Sequence, residues 1–267
     1  MTAQRPEQPT PDYVPAHNLL NGKVVVVTAA AGAGIGASVV RRVLEEGASA
    51  VVLGDTHERR LAEAQEELSG EFGADRVRSL VCDVTNEEQV KALVDAADEF
   101  GGVDIMINNA GLGGTDSVLE MTDEQWSRVI DITLTGTFRC IRYASNKMIE
   151  KGKRGVIVNN ASVIGWRAQE GQAHYAAAKA GVMALTRCAA LDVAPHGIRI
   201  NAVSPSLAMH PFLAKVTSDE LLHELEQREA FGRAAEPWEV ANVMVFLASD
   251  YSSYLTGEVI SVSSQHA

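Results

Sequence analysis

Cysteine is scarce: Cys82, Cys140 and Cys188 are the three in 267 residues, far apart and without a C-x-x-C pair. That excludes a disulfide framework and a thiolate zinc site, and the three are expected to be reduced core thiols of a cytoplasmic protein. Basic charge is also short, with 23 Lys and Arg against 35 Asp and Glu and a formal net charge of -12. The sign excludes a general binder of nucleic acid or of anionic membranes, so an anionic substrate would need a local basic patch. No apolar run approaches the roughly 18 residues of a membrane-spanning helix. The first fifteen residues hold Pro6, Pro9, Pro11 and Pro15 among polar neighbours and contain no apolar core of a signal peptide. Residues 1–20 are therefore expected to be a disordered or loosely attached tail. His223 lies in HELEQ rather than H-E-x-x-H, and no other His, Asp and Glu cluster has ligand spacing, so no metal is expected.

What is present is an ordinary globular balance, 46% hydrophobic and 22% charged, in a chain long enough for one large α/β domain. From Asn21 onward short apolar runs alternate with longer segments of helical period. The runs are Lys23 to Thr28, Ala50 to Gly54, Arg78 to Cys82, Val103 to Ile107, Gly155 to Asn160, Ile198 to Val203 and Glu258 to Ser263. Most are continuous in Val, Ile and Leu rather than alternating, as for parallel strands covered on both faces. Helices are expected over Ile35 to Glu46, His57 to Leu68, Glu87 to Phe100, Asp123 to Ile149, Ala173 to Ala194 and Trp238 to Ala248. Capping boxes are expected at Thr85 with Glu88, Thr122 with Gln125 and Thr217 with Glu220. The alternation with right-handed crossovers predicts a single-domain doubly wound Rossmann fold over residues 21–267, a seven-stranded parallel sheet with helices on both faces. Its ligands bind at the carboxyl ends of the strands.

Two features there point to a dinucleotide. The first strand runs into Ala29-Ala30-Ala31-Gly32-Ala33-Gly34-Ile35-Gly36 and then a helix. Small residues at a helix start let the backbone approach a pyrophosphate, whose charge the free amides favour. Nineteen residues after Gly36 the second strand ends in Asp55, placed to accept hydrogen bonds from an adenosine ribose. Its charge would repel a 2'-phosphate, and no Lys or Arg occurs in the turn, so NAD is favoured over NADP. Arg59 and Arg60 are expected to pair with Glu63 and its neighbours on an exposed helix face.

Further along stand Asn108-Asn109-Ala110-Gly111 after the fourth strand, Ser162 after the fifth, Tyr175-x-x-x-Lys179 on the next helix, and Asn201-Ala202-Val203-Ser204-Pro205 after the sixth. In that order the sequence resembles the short-chain dehydrogenase/reductase family, from about Gly22 to Val262. Residues i and i+4 share a helix face, so Lys179 lies one turn from Tyr175 and is expected to lower the phenol pKa by roughly 1 to 3 units. Tyr175 could then exchange a proton with an alcohol or ketone near neutral pH. The resemblance implies that Lys179 and Tyr175 contact the nicotinamide ribose and that Ser162 holds the substrate oxygen. It also implies that Asp83 and Val84 contact the adenine, that Asn109, Ala110 and Gly111 support the cofactor, and that Pro205 begins a loop over the nicotinamide. The members are commonly homotetramers.

The chain departs from the family in several places. Ala29 replaces the first Gly of the turn, which is one residue longer than usual, and Thr133 in DITLTGTF replaces an Asn that anchors a relay water. Ser206 follows Pro205 in place of Gly, His210 stands where Thr contacts the nicotinamide amide, and the terminal Asp-Gly-Gly is Ser263-Ser264-Gln265. Residues 206–232 have no place in the sheet and are expected to form a substrate lid, with Met209, Phe212 and Leu213 as its apolar face. Trp166 and Arg167 are expected near the substrate, and His174, one position from Tyr175, is expected to pack elsewhere.

The expected activity is NAD-dependent hydride transfer between a secondary alcohol and a ketone. NNASVIGWRAQ and HYAAAKAGVMALTRC are similar to bacterial reductases acting on a ring hydroxyl of a hydrindane-type coenzyme A thioester in steroid degradation. Arg167, Lys215, Arg228 and Arg233 are the basic residues available to such a thioester's phosphates. The alternatives are a 3-oxoacyl thioester reductase, a non-catalytic dinucleotide sensor, for which intact Ser162, Tyr175 and Lys179 have no use, and an enoyl reductase, whose Lys usually lies farther from Tyr.

Overall fold

The computed structural model describes residues 8–209 and 219–265. Strands β1 (Val24–Thr28), β2 (Ala50–Asp55), β3 (Val77–Val81), β4 (Ile105–Asn108), β5 (Val156–Asn160), β6 (Arg199–Pro205) and β7 (Val259–Val262) make one parallel sheet in the order β3-β2-β1-β4-β5-β6-β7. Every residue of β1 is buried, because successive side chains enter two different cores. Val25 and Val27 share one core with Val39 and Val43 of α1 (Ile35–Glu45), Leu61 of α2 (Glu58–Phe72) and Met244 of α8 (Pro237–Ala248). Val24 and Val26 share the other with Leu93 of α3 (Glu87–Asp95), Met148 of α5 (Gly136–Glu150) and Ala190 of α6 (Ala173–Val193). The expected seven-stranded, doubly wound architecture is what the chain adopts.

Local differences have local causes. The helix expected over Asp123 to Ile149 is α4 (Asp123–Ile130), a π-helical turn (Asp131–Thr135) and then α5. Gly136 follows the turn against Val84, so close that a Cβ there would stand 2.6 Å from Val84 Cγ2. The segment Glu87 to Phe100 is α3 followed by a 3-10 turn, Ala96–Phe100, which Gly101 ends with φ 93°. The Thr122 box forms with both of its bonds. The Thr85 box does not: Asn86 caps α3, and Thr85 instead gives its amide and hydroxyl to Asp83 Oδ1 at 2.9 and 2.8 Å. A further box, Glu236 with Glu239, opens α8. Thr217 lies outside the described residues. Cys82 and Cys140 are buried, but Cys188 is exposed on α6 rather than in the core.

Residues 8–20 also correct an expectation. Arg42 and Glu46, both buried and paired at 2.6 Å, reach out to this segment: Arg42 donates to Val14 O, and Glu46 accepts from His17 N and Leu19 N at 2.8 and 3.0 Å. Tyr13 stands edge-on to Trp238 with ring centroids 5.3 Å apart. A loosely attached tail therefore does not describe residues 8–20, whose backbone supplies the hydrogen bonds that a buried carboxylate requires.

Candidate active site

The sheet order reverses between β1 and β4, so the chains leaving their carboxyl ends diverge and open a crevice. A cavity of about 620 Å³ lies there, lined among others by Ala29, Asp55, Asp83, Val84, Ala110 and Gly111. Gly32, Gly34, Ile35 and Gly36 build the turn beside it. Ala29 has φ 49° and Gly32 φ 96°, so the position where the family carries Gly is left-handed here, with Ala bearing the strain. Gly36 has no substitute, since a Cβ would stand 2.0 Å from Ala29 O. Gly34 precedes α1, gives it no side-chain cap, and faces open space. The first amides of α1 are thus without a side-chain acceptor, and this end of the crevice fits a pyrophosphate.

Asp55 ends β2 as expected and is fixed by Ala31 N on Oδ2 at 3.1 Å and His57 N on Oδ1 at 2.9 Å. Arg59 reaches Glu63 at 3.6 Å. Arg60 makes no ion pair among the described residues, and its stem lies beside Gly32, with Cδ 3.9 Å from where a Cβ would be. Thr28 Oγ1 accepts from Asn109 N and Ala110 N, both at 3.0 Å, locking the β4 loop to the end of β1. Arg128, Thr56 and Ile132 also line the cavity.

The reacting groups lie along β5 and α6. Ser162 is 9% exposed and its Oγ accepts from Ile164 N at 3.3 Å. Lys179, 3% exposed, has its ammonium 5.6 Å from the centroid of the Tyr175 ring and donates to Asn160 O at 2.5 Å. Burial brings the Lys179 pKa down to about 8. Burial also pushes the Tyr175 phenol up, while a hydrogen bond from the Ser162 hydroxyl pulls it back. The expected lowering of Tyr175 by Lys179 is therefore not what dominates: desolvation of the phenol does.

A hydrogen-bond chain ties this pair to the glycine turn. Asn109 Nδ2 donates to Ala29 O at 3.1 Å, Asn160 Nδ2 donates to Asn109 Oδ1 at 2.9 Å, and the Asn160 carbonyl takes Lys179. Asn160 was not visible as a site residue, because its contribution to Lys179 is a backbone oxygen that no side-chain pattern marks. Thr133 is fully buried. Its hydroxyl accepts from Leu112 N at 3.0 Å and donates to Leu112 O at 3.2 Å, so its proton is already committed and it ties the loop to the π turn.

Around the substrate side, Pro205 ends β6, and Ala208 bridges to Ala235. Helix α7 (Asp219–Arg228) falls within the residues expected to form a lid, while His210, Phe212, Leu213 and Lys215 lie outside the described residues. Arg228 is paired with Glu224 at 2.6 Å and Arg233 with Glu239 at 2.7 Å, so neither is a free phosphate contact. His174 is buried with Nε2 3.7 Å from Asp116, off the reacting pair as expected. Among the described residues no three His, Cys, Asp or Glu side chains are grouped to hold a metal, and no helix is long and apolar enough to cross a membrane.

This arrangement defines an oxidoreductase, and the chain belongs to the short-chain dehydrogenase/reductase family: a family profile described as Enoyl-(Acyl carrier protein) reductase matches residues 29–264. Its relatives include the (5R,7aS)-5-hydroxy-7a-methyl-1-oxo-2,3,5,6,7,7a-hexahydro-1H-indene-carboxyl-CoA reductase of Mycobacterium tuberculosis, 61% identical over 257 residues, 96% of this chain and 97% of the relative. A short chain dehydrogenase from Mycobacterium smegmatis has 54% identity and a TM-score of 0.86, covering 97% of this chain and 99% of the other. An NAD+-bound xylitol dehydrogenase has 35% identity and a TM-score of 0.84, covering 92% and 99%.

Proposed function

We propose that the protein interconverts a secondary ring alcohol and its ketone on a bicyclic coenzyme A thioester, with NAD as the hydride carrier. The observation that carries the chemistry is the Lys179 ammonium 5.6 Å from the centroid of the Tyr175 ring, with the Ser162 hydroxyl pulling the phenol pKa down. The bicyclic thioester is supported by the similarity to the M. tuberculosis reductase, and NAD by the Asp55 carboxylate in the crevice wall. When bound, the nicotinamide supplies or accepts the hydride.

The chain's own residues handle the proton and the oxygen. Tyr175 Oη gives its proton to the carbonyl oxygen as the alcohol forms, or takes it from the alcohol in the reverse direction. Ser162 Oγ donates a hydrogen bond to the same oxygen, where charge develops. Lys179, held by Asn160 O, places a positive charge next to the phenolate and is the residue that would bond the nicotinamide ribose. Thr133 acts as a positioning residue, keeping the Leu112 loop against the π turn. The site residues of the turn, with Asp83, Val84, Asn109, Ala110, Gly111 and Pro205, form the cofactor side. The protein works in the cytoplasm, as a homotetramer.

The test is absorbance at 340 nm with NAD and NADP against ring-hydroxy thioesters, linear 3-hydroxyacyl thioesters and simple secondary alcohols. Turnover of the ring thioester with NAD is expected. Preference for a linear 3-oxoacyl thioester would assign the substrate differently; Asp55→Ala should narrow the gap between NAD and NADP, and tighter binding of NADP than of NAD by the wild type would overturn the cofactor assignment.

A further inference from the structure

We propose that Arg167 binds the substrate by donating to a neutral carbonyl oxygen remote from the reacting carbon. The assignment rests on the ring-alcohol reading above. Arg167 follows Ser162 closely, and its amide bonds Val163 O at 3.0 Å, so its backbone is fixed to the loop that carries the Ser162 hydroxyl. Its side chain crosses to the chain beyond β7, where Nη1 donates to Gln265 Oε1. Gln265 Nε2 in turn donates to Glu229 Oε1 at 2.6 Å, and Ser264 Oγ to Glu229 Oε2 at 2.7 Å. Glu229 is 1% exposed and also takes the amide of Leu207, after β6, at 3.4 Å.

Three segments at the carboxyl edge of the sheet are therefore joined on the substrate side: the Ser162 loop, the segment after β6 and the chain after β7. This is where the terminal Asp-Gly-Gly of the family is replaced by Ser263, Ser264 and Gln265. Within this network Arg167 Nη2 is buried and has no hydrogen-bond partner among the described residues. A buried guanidinium N–H without an acceptor is costly, and an oxygen brought in by the substrate would satisfy it. Glu229, one glutamine away, balances the positive charge, so a phosphate or carboxylate would enter against a buried carboxylate. A carbonyl oxygen meets no such opposition. The M. tuberculosis relative's substrate carries a 5-hydroxyl and a 1-oxo group on different rings of one bicycle. With the first oxygen at Ser162 and Tyr175, the second is the oxygen that Arg167 would fix.

The experiment compares kcat/KM for a bicyclic thioester bearing the remote ketone with that for its analogue carrying CH2 there. It uses wild type, Arg167→Leu and Arg167→Lys, with dinucleotide titration and thermal melting to establish folding. Wild type is expected to favour the ketone about 10- to 100-fold, as for a hydrogen bond to a charged group. The ratio should fall to near one in Arg167→Leu and to an intermediate value in Arg167→Lys, which answers the question alone if the leucine variant does not fold. An unchanged ratio overturns the assignment. So does a loss in Arg167→Leu that vanishes when pantetheine replaces coenzyme A, because the partner is then a phosphate. Wild type inert toward both bicycles is a separate result that removes the ring-alcohol reading and this assignment with it.

Discussion

Lys179 shows the tension between stability and chemistry at a single residue. Its ammonium is buried for the sake of Tyr175, and burial brings its pKa down from 10.5 to about 8. A group whose charged form is disfavoured in the fold destabilises it below the folded pKa, and the penalty disappears as the pH rises from about 8 toward 10.5. Lys179→Met is therefore expected to melt higher than wild type at pH 7, by about 1 to 3 kcal/mol, with a gap that closes in that window. A lower melting point at pH 7 would show that the bond to Asn160 outweighs desolvation. Ala29 is a second residue under strain: at φ 49°, Ala29→Gly should raise stability by about 1 kcal/mol in denaturant titration. The sequence made Ser162, Tyr175 and Lys179 legible because their spacing reflects chemistry. Asn160 acts through its backbone on Lys179, and Arg128 is an ordinary surface residue of α4 until Ala110 to Leu112 fold beside it, so neither could be read.

At the scale of elements, continuous Val and Ile runs marked the strands because a doubly covered sheet leaves no polar face to alternate with. The π turn was not legible. DITLTGTF keeps a helical pattern, and the extra residue is set by tertiary contacts, Thr133 on Leu112 and Gly136 on Val84. Thr133→Val would leave Leu112 N and O without their partner inside the protein. It is expected to cost about 1 to 3 kcal/mol of stability and to weaken NAD binding in titration, since Gly111 and Leu112 line the crevice. Full stability with full affinity would show that the π turn holds without this hydroxyl. The docking of residues 8–20 is illegible for a similar reason: its prolines and polar residues describe a tail, but the carboxylate that holds it, Glu46, caps the end of α1 and only the fold brings them together.

For the whole molecule, the apolar residues left exposed suggest where copies meet. Trp126 and Phe138 are each 42% exposed on α4 and α5, and Leu191 is 75% exposed on α6, the helices expected to form an interface. Light scattering should give a homotetramer, and Trp126→Glu should shift it toward smaller species; a wild-type monomer at working concentration would contradict this. One proton-transfer group, Tyr175, serves the proposed dinucleotide-dependent alcohol–ketone reaction in the crevice between β1 and β4. Its most direct test is Tyr175→Phe, assayed at 340 nm for the ring-alcohol reaction and titrated in parallel with NAD. The phenol acts in the chemical step rather than in the ground state, so kcat should fall by about 10² to 10⁴ while the NAD dissociation constant stays within a few-fold. Near-normal turnover in Tyr175→Phe would show that another group transfers the proton.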